Sequence, residues 1–383
     1  MNRKTKRFGL GAVLVLGLLA AWVHMADKNY VYKAIYHNFA DIDDHLIFHQ
    51  RKIEASEEPI PWAQSKQYNK VELPATLQEL HQELQSVAFL VVKDDSLLYE
   101  QYWDGYSEES LSNSFSMAKS IVSVLLGIAM KDGVIQSVDQ PVGDFLPEFQ
   151  EGAKAKITLR HLLWMSSGLN WDESYNNPLS MTTEAYYGSN LKKVINRLEA
   201  EEEPGQKFEY KSGDTQVLGF VIEAATGMNL ADYAEEKLWR PLGAEHKAEW
   251  SVDHLRGNEK AYCCFFSNAR DFARIGKLYL NQGIWNGDTL VPLDYVQASL
   301  KPSGLPSATT GEITDYYGYQ WWLLPEYKGQ SIFYARGILG QYIIVVPEKD
   351  LVIVRLGKKR GERVNNHPSE VMAMIDAVNK MVP

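Results

Sequence analysis

Apolar, strand-like runs lie near both ends of the globular part of the chain, and their placement constrains the fold more than any other feature. The runs VAFLVVK (87–93) and SLLYEQY (96–102) flank two aspartates, which predicts a β-hairpin. Near the other end, SIFYAR, QYIIVVP and LVIVRL (within 331–356) predict two or three antiparallel strands, whereas residues 131–300 show mostly helix and loop patterns. We therefore predict an α/β (α+β) fold in which one antiparallel sheet, built from both chain ends and flanked by helices, carries an inserted, mostly helical lobe.

With 383 residues, the chain is longer than an ordinary domain of ~150 residues. Its sequence patterns predict three parts. Residues 1–26 form an N-terminal membrane anchor or signal segment, residues 27–75 a spacer, and residues 76–383 one folded domain. The spacer prediction rests on acidic clusters and on prolines at positions 59, 61 and 74. We interpret the acidic run DIDDH at 41–45 as solvated charge rather than as a metal site.

The N-terminal segment has the pattern of a membrane anchor. Four basic residues precede the uncharged stretch 8–26, which at ~1.5 Å per residue is just long enough to cross a hydrocarbon core. The small residues that a signal peptidase needs are poorly placed there, so an uncleaved anchor is favoured over a cleaved signal. The basic flank then predicts a cytoplasmic N-terminus and a periplasmic or extracellular body. Secretion after cleavage is the alternative.

Charge and motifs exclude several classes of function. Lys+Arg 39 against Asp+Glu 49 leaves a net charge of −10, which argues against a nucleic-acid partner. The sequence contains no Walker loop, no GxGxxG before a helix, no HExxH and no GxSxG elbow, so we expect no cofactor and no metal. The two cysteines, Cys263 and Cys264, are adjacent and predict buried small apolar side chains rather than a disulfide framework or a zinc site.

A possible nucleophile lies in the run Ser116-Met117-Ala118-Lys119, directly before the apolar helix SIVSVLLGIAM (120–130). Residues i and i+3 share a helix face, so the Lys119 amine can reach the Ser116 hydroxyl. The positive end of the helix dipole favours a developing alkoxide, and the apolar face favours a neutral lysine. Alone, the pattern fits equally an N-cap serine followed by a snorkelling lysine. A second match, Ser189 to Lys192, is interpreted as an N-cap because its lysine faces solvent.

Two further patterns point to the same chemistry. In Tyr210-Lys211-Ser212, an extended segment places a phenol and a hydroxyl on one side, where the phenol can shuttle a proton. Between two strand-like runs, the segment from Gly337 to Gln341 can direct the Ile338 N–H at an oxyanion. A bulge on an edge strand is the alternative interpretation of these glycines.

The ordered set SMAK, ITLRHLLWMSSGL, PGQKFEYKS, GFVIEAATGMNLADYAEEKLWRPLG, YGYQWW and GILGQY resembles the serine β-lactamase-like superfamily over roughly 75–383. The resemblance implies a β-lactamase/transpeptidase-like fold without a cofactor. It further implies that Ser116 is the acylated nucleophile, Lys119 its amine partner and Tyr210 the general acid and base. The N–H groups of Ser116 and Ile338 would form the oxyanion hole.

Within this superfamily, the sequence is similar to the 6-aminohexanoate-dimer hydrolase branch. It has Tyr-x-Ser and a run from Arg336 to Gly340 where β-lactamases carry Tyr-x-Asn and Lys-Thr-Gly, which argues against antibiotic hydrolysis. The resemblance implies that Tyr175 of WDESY contacts the substrate amide, and it places four residues on the substrate side of the site: Tyr175, Ser212, Gly337 and Gly340. Leu339 stands where that branch has histidine, which argues against a nylon-oligomer substrate.

Three classes of function follow. We predict an exported, membrane-anchored serine hydrolase that cleaves a small-molecule amide or ester through an acyl-enzyme. A D-Ala-D-Ala peptidase or β-lactamase relative uses the same chemistry on another substrate, and a non-catalytic binding protein is the alternative of another class. Retention of serine, lysine and tyrosine together argues against that last class. His161, within an apolar run, is interpreted as a core residue rather than a base.

Overall fold

The computed structural model describes residues 17, 18 and 20–382. Its strands are β1 His49–Ile53, β2 Ala63–Gln64, β3 Ser86–Lys93, β4 Ser96–Tyr102, β5 Ser112–Asn113, β6 Ala248–Val252, β7 Phe265–Ser267, β8 Ile284–Trp285, β9 Asp288–Thr289, β10 Trp322–Tyr327, β11 Gln330–Gly337, β12 Gln341–Val346, β13 Leu351–Gly357, β14 Arg363–Val364 and β15 His367–Pro368. Its helices are α1 Tyr30–His37, α2 Ala75–Glu83, α3 Met117–Lys131, α4 Leu159–Leu163, α5 Met181–Tyr187, α6 Leu191–Asn196, α7 Ser212–Thr226, α8 Leu230–Ala234, α9 Ala269–Leu280, α10 Leu293–Ser299 and α11 Ser369–Met381.

A seven-stranded sheet combines strands from both halves of the chain, in the order β10-β11-β12-β13-β3-β4-β2. Every neighbouring pair is antiparallel except β2 and β4, which are parallel. The predicted hairpin is β3 and β4, joined by Asp94 and Asp95 with φ of 46° and 61°, the left-handed conformation that tight hairpin turns need. The predicted antiparallel sheet built from both chain ends is confirmed.

Each face of this sheet is covered by helices, so its central strands are apolar on both sides. Along β3, Leu90 and Val92 belong to the core that contains α3 and α9, whereas Phe89 and Val91 belong to the core that contains α2 and α11. Successive side chains of a strand point to opposite faces, which explains this alternation. The central strands therefore hold α3, and with it the first residues of the predicted site, rigidly against the sheet.

A second, four-stranded antiparallel sheet has the order β1-β6-β7-β5. It draws two strands from the stretch 131–300, which the sequence predicted as mostly helix and loop. The two strands, β6 and β7, are five and three residues long, too short to give a clear alternating pattern. At the edge of this sheet, β5 pairs with β7 and leads the chain directly towards Ser116.

The segment 27–75 is part of the folded body rather than the spacer that we predicted. Its strand β1 pairs with β6, and β2 extends the edge of the large sheet. The run 41–45 is solvated only in part: Asp41 is exposed, whereas Asp43 accepts a hydrogen bond from Tyr106 and the buried Asp44 accepts one from Tyr186. The sequence could not indicate this, since both tyrosines lie far along the chain from their carboxylates.

Most of the predicted anchor lies outside the described residues, which begin at position 17 and omit position 19. Residues 20–25 are helical and lead into α1. Among the residues that the structure describes, no helix has both the length and the apolar character needed to span a bilayer.

Candidate active site

Ser116 lies at the junction between β5 and α3, where it is the N-cap residue of α3. The preceding residue, Phe115, has φ of 44°, a conformation that bulky residues rarely adopt. Its N–H donates to the Asn113 side chain, which holds the turn. Strained backbone of this kind clusters at functional sites, and here it directs the partly exposed Ser116 hydroxyl out of the core.

The Lys119 amine lies one helical turn after Ser116 and is held by three acceptors. It is 3.1 Å from the Ser116 Oγ, 3.0 Å from the Ser212 Oγ and 2.8 Å from the Tyr262 carbonyl oxygen. Lys119 is 1% exposed, and burial lowers its pKa from 10.5 to about 8, although the charge of Glu173 acts in the opposite direction. A lysine with such a pKa has a substantial neutral fraction near physiological pH and can accept a proton from the serine.

Tyr210 lies beside this pair, with the Lys119 Nζ 5.2 Å from the centroid of its ring. Tyr317 and Trp322 pack against the ring at centroid distances of 6.0 Å and 5.8 Å. Burial raises the pKa of Tyr210 above its ordinary value, whereas its hydrogen bond with Ser116 lowers it by less. At neutral pH Tyr210 is therefore a protonated phenol, suited to give a proton to a leaving group.

A carboxylate that the sequence reasoning missed completes this cluster. Glu173 accepts hydrogen bonds from the Ser212 N–H at 2.6 Å, the Ser212 Oγ at 2.7 Å, the Trp171 Nε1 at 2.7 Å and the Tyr175 hydroxyl. A hydrogen-bonded chain thus runs from Lys119 through Ser212 to Glu173. The only signal in the sequence was the position of Glu173 in WDESY, two residues before Tyr175.

The turn from Gly337 to Gln341 approaches the serine from the end of β11. A Cβ atom on Gly337 would lie 2.2 Å from the Ser114 carbonyl oxygen, so only glycine permits this approach. Within residues 20–382, the N–H groups of Ser116 and Ile338 donate no hydrogen bond to another protein group. Two free donors beside a nucleophile are the arrangement that an oxyanion requires.

A cavity of about 570 Å³ opens in front of Ser116. It is lined by Ala34, Ile35, Asn38, Phe39, Ala40, Phe115, Ser116, Tyr175, Asn176, Pro178, Thr182, Thr183, Tyr186, Tyr187, Ser212, Tyr262, Cys263, Ile338 and Leu339. The first five of these belong to α1 and the turn after it. Of the described residues that line the cavity, none carries a formal charge.

The structure brings most of the predicted site residues together. Ser116, Tyr175, Ser212 and Ile338 line the cavity, and Tyr175 is 50% exposed and so accessible to a ligand. Gly337 and Gly340 are not among the lining residues. Gly340 is buried, and its carbonyl oxygen accepts a hydrogen bond from the Arg355 guanidinium at 2.7 Å. The two glycines shape the turn rather than line the cavity.

Two other sequence candidates lie elsewhere. The His161 Nδ1 accepts a hydrogen bond from the Thr158 N–H at the start of α4 and so caps that helix. In the second Ser-x-x-Lys match, Asn190 rather than Ser189 is the N-cap of α6, and Lys192 is exposed as predicted.

Arg336, one of the cations near Tyr210, does not line the cavity. Its guanidinium carbon lies 3.3 Å from the centroid of the Trp322 ring, and its Nη1 donates to the Asn366 carbonyl oxygen.

Cys263 and Cys264 form a disulfide with each other, where the sequence predicted buried small apolar side chains and no disulfide framework. Both residues are buried as expected, and Cys263 lines the cavity. The disulfide directly follows Tyr262, whose carbonyl oxygen accepts a hydrogen bond from Lys119.

The sequence model of the Beta-lactamase family matches residues 73–371. The chain belongs to the beta-lactamase family. This beta-lactamase family protein is 26% identical over 306 residues to the 6-aminohexanoate-dimer hydrolase of Paenarthrobacter ureafaciens, a match that covers 74% of this chain and 76% of that protein. It is 27% identical over 231 residues to the "Putative D-alanyl-D-alanine carboxypeptidase" of Escherichia coli (strain K12), which covers 51% of this chain and 52% of that protein.

A solved structure shares this fold. A structure described as "Putative 6-aminohexanoate-dimer hydrolase from Bacillus anthracis" superposes with a TM-score of 0.72 at 23% identity, covering 87% of this chain and 89% of that one. The beta-lactamase fold and the resemblance stated from the sequence are confirmed.

Proposed function

We propose that this beta-lactamase family protein is a serine hydrolase that cleaves small amides or esters through an acyl-enzyme on Ser116. The observation that carries the proposal is the buried Lys119 amine, hydrogen-bonded at 3.1 Å to the Ser116 hydroxyl and with a pKa lowered to about 8. A buried amine with that pKa serves as a base, which a binding protein on the same fold does not need.

Acylation begins when neutral Lys119 accepts the Ser116 proton while the Oγ attacks the substrate carbonyl carbon. The new C–O bond leaves a negative charge on the carbonyl oxygen, which the N–H groups of Ser116 and Ile338 stabilise. When the intermediate collapses, the bond to the leaving amine or alkoxide breaks. Tyr210 donates its proton to that group and recovers one from the Lys119 ammonium.

Deacylation reverses these roles with water as the nucleophile. Water attacks the acyl carbon and loses a proton to the Tyr210–Lys119 pair, the Ser116 ester bond breaks, and Ser116 regains its proton. Glu173 does not touch the reacting atoms. It positions Ser212, and through Ser212 the Lys119 amine.

The lining of the cavity favours neutral substrates over β-lactams. A β-lactam carboxylate needs a cation, but the described lining has none, and Arg336 is engaged by Trp322 and the Asn366 carbonyl. Each missing charge-assisted hydrogen bond costs about 1.5–3 kcal/mol. The 6-aminohexanoate-dimer hydrolase and carboxypeptidase relatives support amide hydrolysis as the shared chemistry.

We also propose that the protein is exported and tethered to a membrane by its N-terminal segment. The uncharged stretch 8–26 behind a basic flank supports this. So do two exposed aromatic residues, Trp22 within the stretch and Tyr36 after it. Expression in bacteria with a C-terminal reporter that is active only outside the cytoplasm tests the topology. An inactive reporter on an abundant fusion would contradict it.

The central test is labelling of the full chain with a fluorophosphonate, followed by intact mass and peptide mapping, beside hydrolysis of p-nitrophenyl butyrate. We expect one adduct on Ser116, and loss of both labelling and turnover in Ser116→Ala. Ser189→Ala is the matched control, because Ser189 begins the other Ser-x-x-Lys run and should retain both. Labelling at Ser189, or unchanged turnover in Ser116→Ala, contradicts the proposal.

A further inference from the structure

We propose that the cavity in front of Ser116 is a binding site for an apolar acyl chain, and that α1 with the following turn, residues 34–40, forms the wall that selects for it. This proposal rests on the acyl-enzyme function proposed above and names its acyl donor class: uncharged esters or amides of medium-length aliphatic acids. Residues 34–40 precede the family-matched region 73–371, so the family relationship does not assign them a role.

The wall is firmly attached to the domain. On α1, Tyr30, Val31 and Ala34 are buried in the main core. Beyond the turn, Asp44 accepts a hydrogen bond from the hydroxyl of Tyr186, a residue that also lines the cavity. The segment is therefore held in place on both sides of residues 34–40, and its side chains form a permanent surface of the cavity.

The chemistry of the lining suits a neutral chain. Ile35 and Phe39 line the same cavity as Phe115 and Leu339, and the polar lining groups are tyrosine, serine, threonine and asparagine side chains. Placing an ammonium or a carboxylate in such surroundings without a partner is costly. A zwitterionic substrate such as an amino-acid dimer has no counter-charge among the described lining residues, whereas a methylene chain needs none.

The exposed side chains of the wall indicate where the acyl chain of the substrate would lie. Ile35 is 68% exposed and Phe39 is 70% exposed, although both line the cavity. Adjacent exposed apolar side chains at the mouth of a cavity mark a binding surface. The volume of about 570 Å³ lies within the range of ~300–1,000 Å³ typical of small-molecule sites, far more than an acetyl group fills.

Chain-length selectivity is the measurable consequence. Burying one methylene contributes ~0.8 kcal/mol, so kcat/KM should rise about fourfold for each methylene added between acetate and octanoate, until the cavity is filled. The increase should be carried by residues 34–40 and not by the catalytic groups.

The experiment measures kcat/KM of the full chain for p-nitrophenyl acetate, butyrate, hexanoate and octanoate, below their micellar concentrations. Phe39→Asp and Ile35→Asp place a charge on the wall at exposed positions, where folding is little affected. We expect each to lower kcat/KM for octanoate by roughly tenfold or more while acetate changes by less than about twofold. Leu255→Asp is the matched control, because Leu255 is 69% exposed and lies outside the cavity, so it should alter neither.

The outcomes separate this proposal from the one on which it depends. If the wild-type protein hydrolysed none of the four esters, the proposed acyl-enzyme function would be overturned. Turnover with a flat or falling chain-length profile, or an equal loss on all four esters in Phe39→Asp, would overturn only the acyl-chain site. Weaker binding of Phe39→Asp to phosphatidylcholine vesicles with an unchanged chain-length profile would instead make this face a membrane contact and contradict the proposal.

Discussion

At the scale of single residues, the charge state of Lys119 controls the proposed reaction. Burial lowers its pKa to about 8, and the neutral amine is the active form. We therefore expect kcat/KM for p-nitrophenyl acetate to rise about tenfold per pH unit below about pH 8 and to level off above it. A pH–rate profile measures this. A profile that falls over that range would show that the protonated amine is the active form.

Glu173 should set the midpoint of that profile. Its negative charge raises the pKa of Lys119, so Glu173→Gln should move the midpoint to lower pH. Glu148→Gln, at an exposed carboxylate that does not line the cavity, is the control and should leave the midpoint unchanged. If Glu173 had only a structural role, Glu173→Gln would lower kcat at every pH without moving the midpoint of the pH–rate profile.

Tyr210 and His161 should respond differently to substitution. Tyr210→Phe removes one oxygen from a proton donor, and we expect kcat to fall by about 10²–10⁴ with little change in melting temperature. His161→Ala removes the hydrogen-bond acceptor at the start of α4 and should cost about 1 kcal/mol of stability with kcat retained. A comparable loss of kcat in folded His161→Ala would make the histidine part of the mechanism.

How much of the site can be predicted from the sequence depends on how close together along the chain the contacting residues lie. Ser116 and Lys119 are three residues apart on one helix, so their contact follows from helix geometry alone. The contact between Glu173 and Ser212 joins a loop to the first residue of α7, 39 residues along the chain, and no periodic pattern encodes it. Tyr210 required the family resemblance, because a lone tyrosine before a helix carries no distinguishing signal.

At the scale of elements, the turn from Gly337 to Gln341 sets the position of the Ile338 N–H. Gly337→Ala would place its Cβ 2.2 Å from the Ser114 carbonyl oxygen, so the turn must move away from the serine. A displacement of about 1 Å can cost as much as 10²-fold in rate, and we expect a kcat loss of at least about tenfold in a folded protein.

Gly304→Ala is the control for that substitution. Gly304 has φ of 68° and open surroundings, so alanine there adds backbone strain without a clash. It should lower the melting temperature slightly and leave kcat unchanged. If Gly304→Ala and Gly337→Ala lowered kcat equally, the position of the turn would not be the cause of the loss.

The long elements were predictable and the short ones were not. The central strands and α3 are long apolar runs whose burial follows from composition. Strands β6 and β7 are short, and Asp43 and Asp44 find their hydrogen-bond partners in tyrosines that lie far along the chain. Contacts of that kind depend on the completed fold.

At the scale of the whole molecule, the stretch before residue 75 should be needed for stability. A chain that begins at Ala75 lacks β1, β2 and the buried side chains of α1, and it exposes the edge of β4. We expect it to aggregate or to unfold at a lower temperature than a chain that begins at residue 20, as measured by size-exclusion chromatography and thermal unfolding. Equal melting temperatures would show that the stretch is dispensable.

The position of the α1 wall also bears on how such proteins diversify. The reacting groups lie within the family-matched region 73–371, whereas residues 34–40 lie before it, on a separate stretch of chain. Selection can therefore alter the wall without disturbing the Ser116–Lys119 pair. If residues 34–40 were replaced with the corresponding residues of a relative, we expect the preference for the acyl group to change while the catalytic residues stay the same.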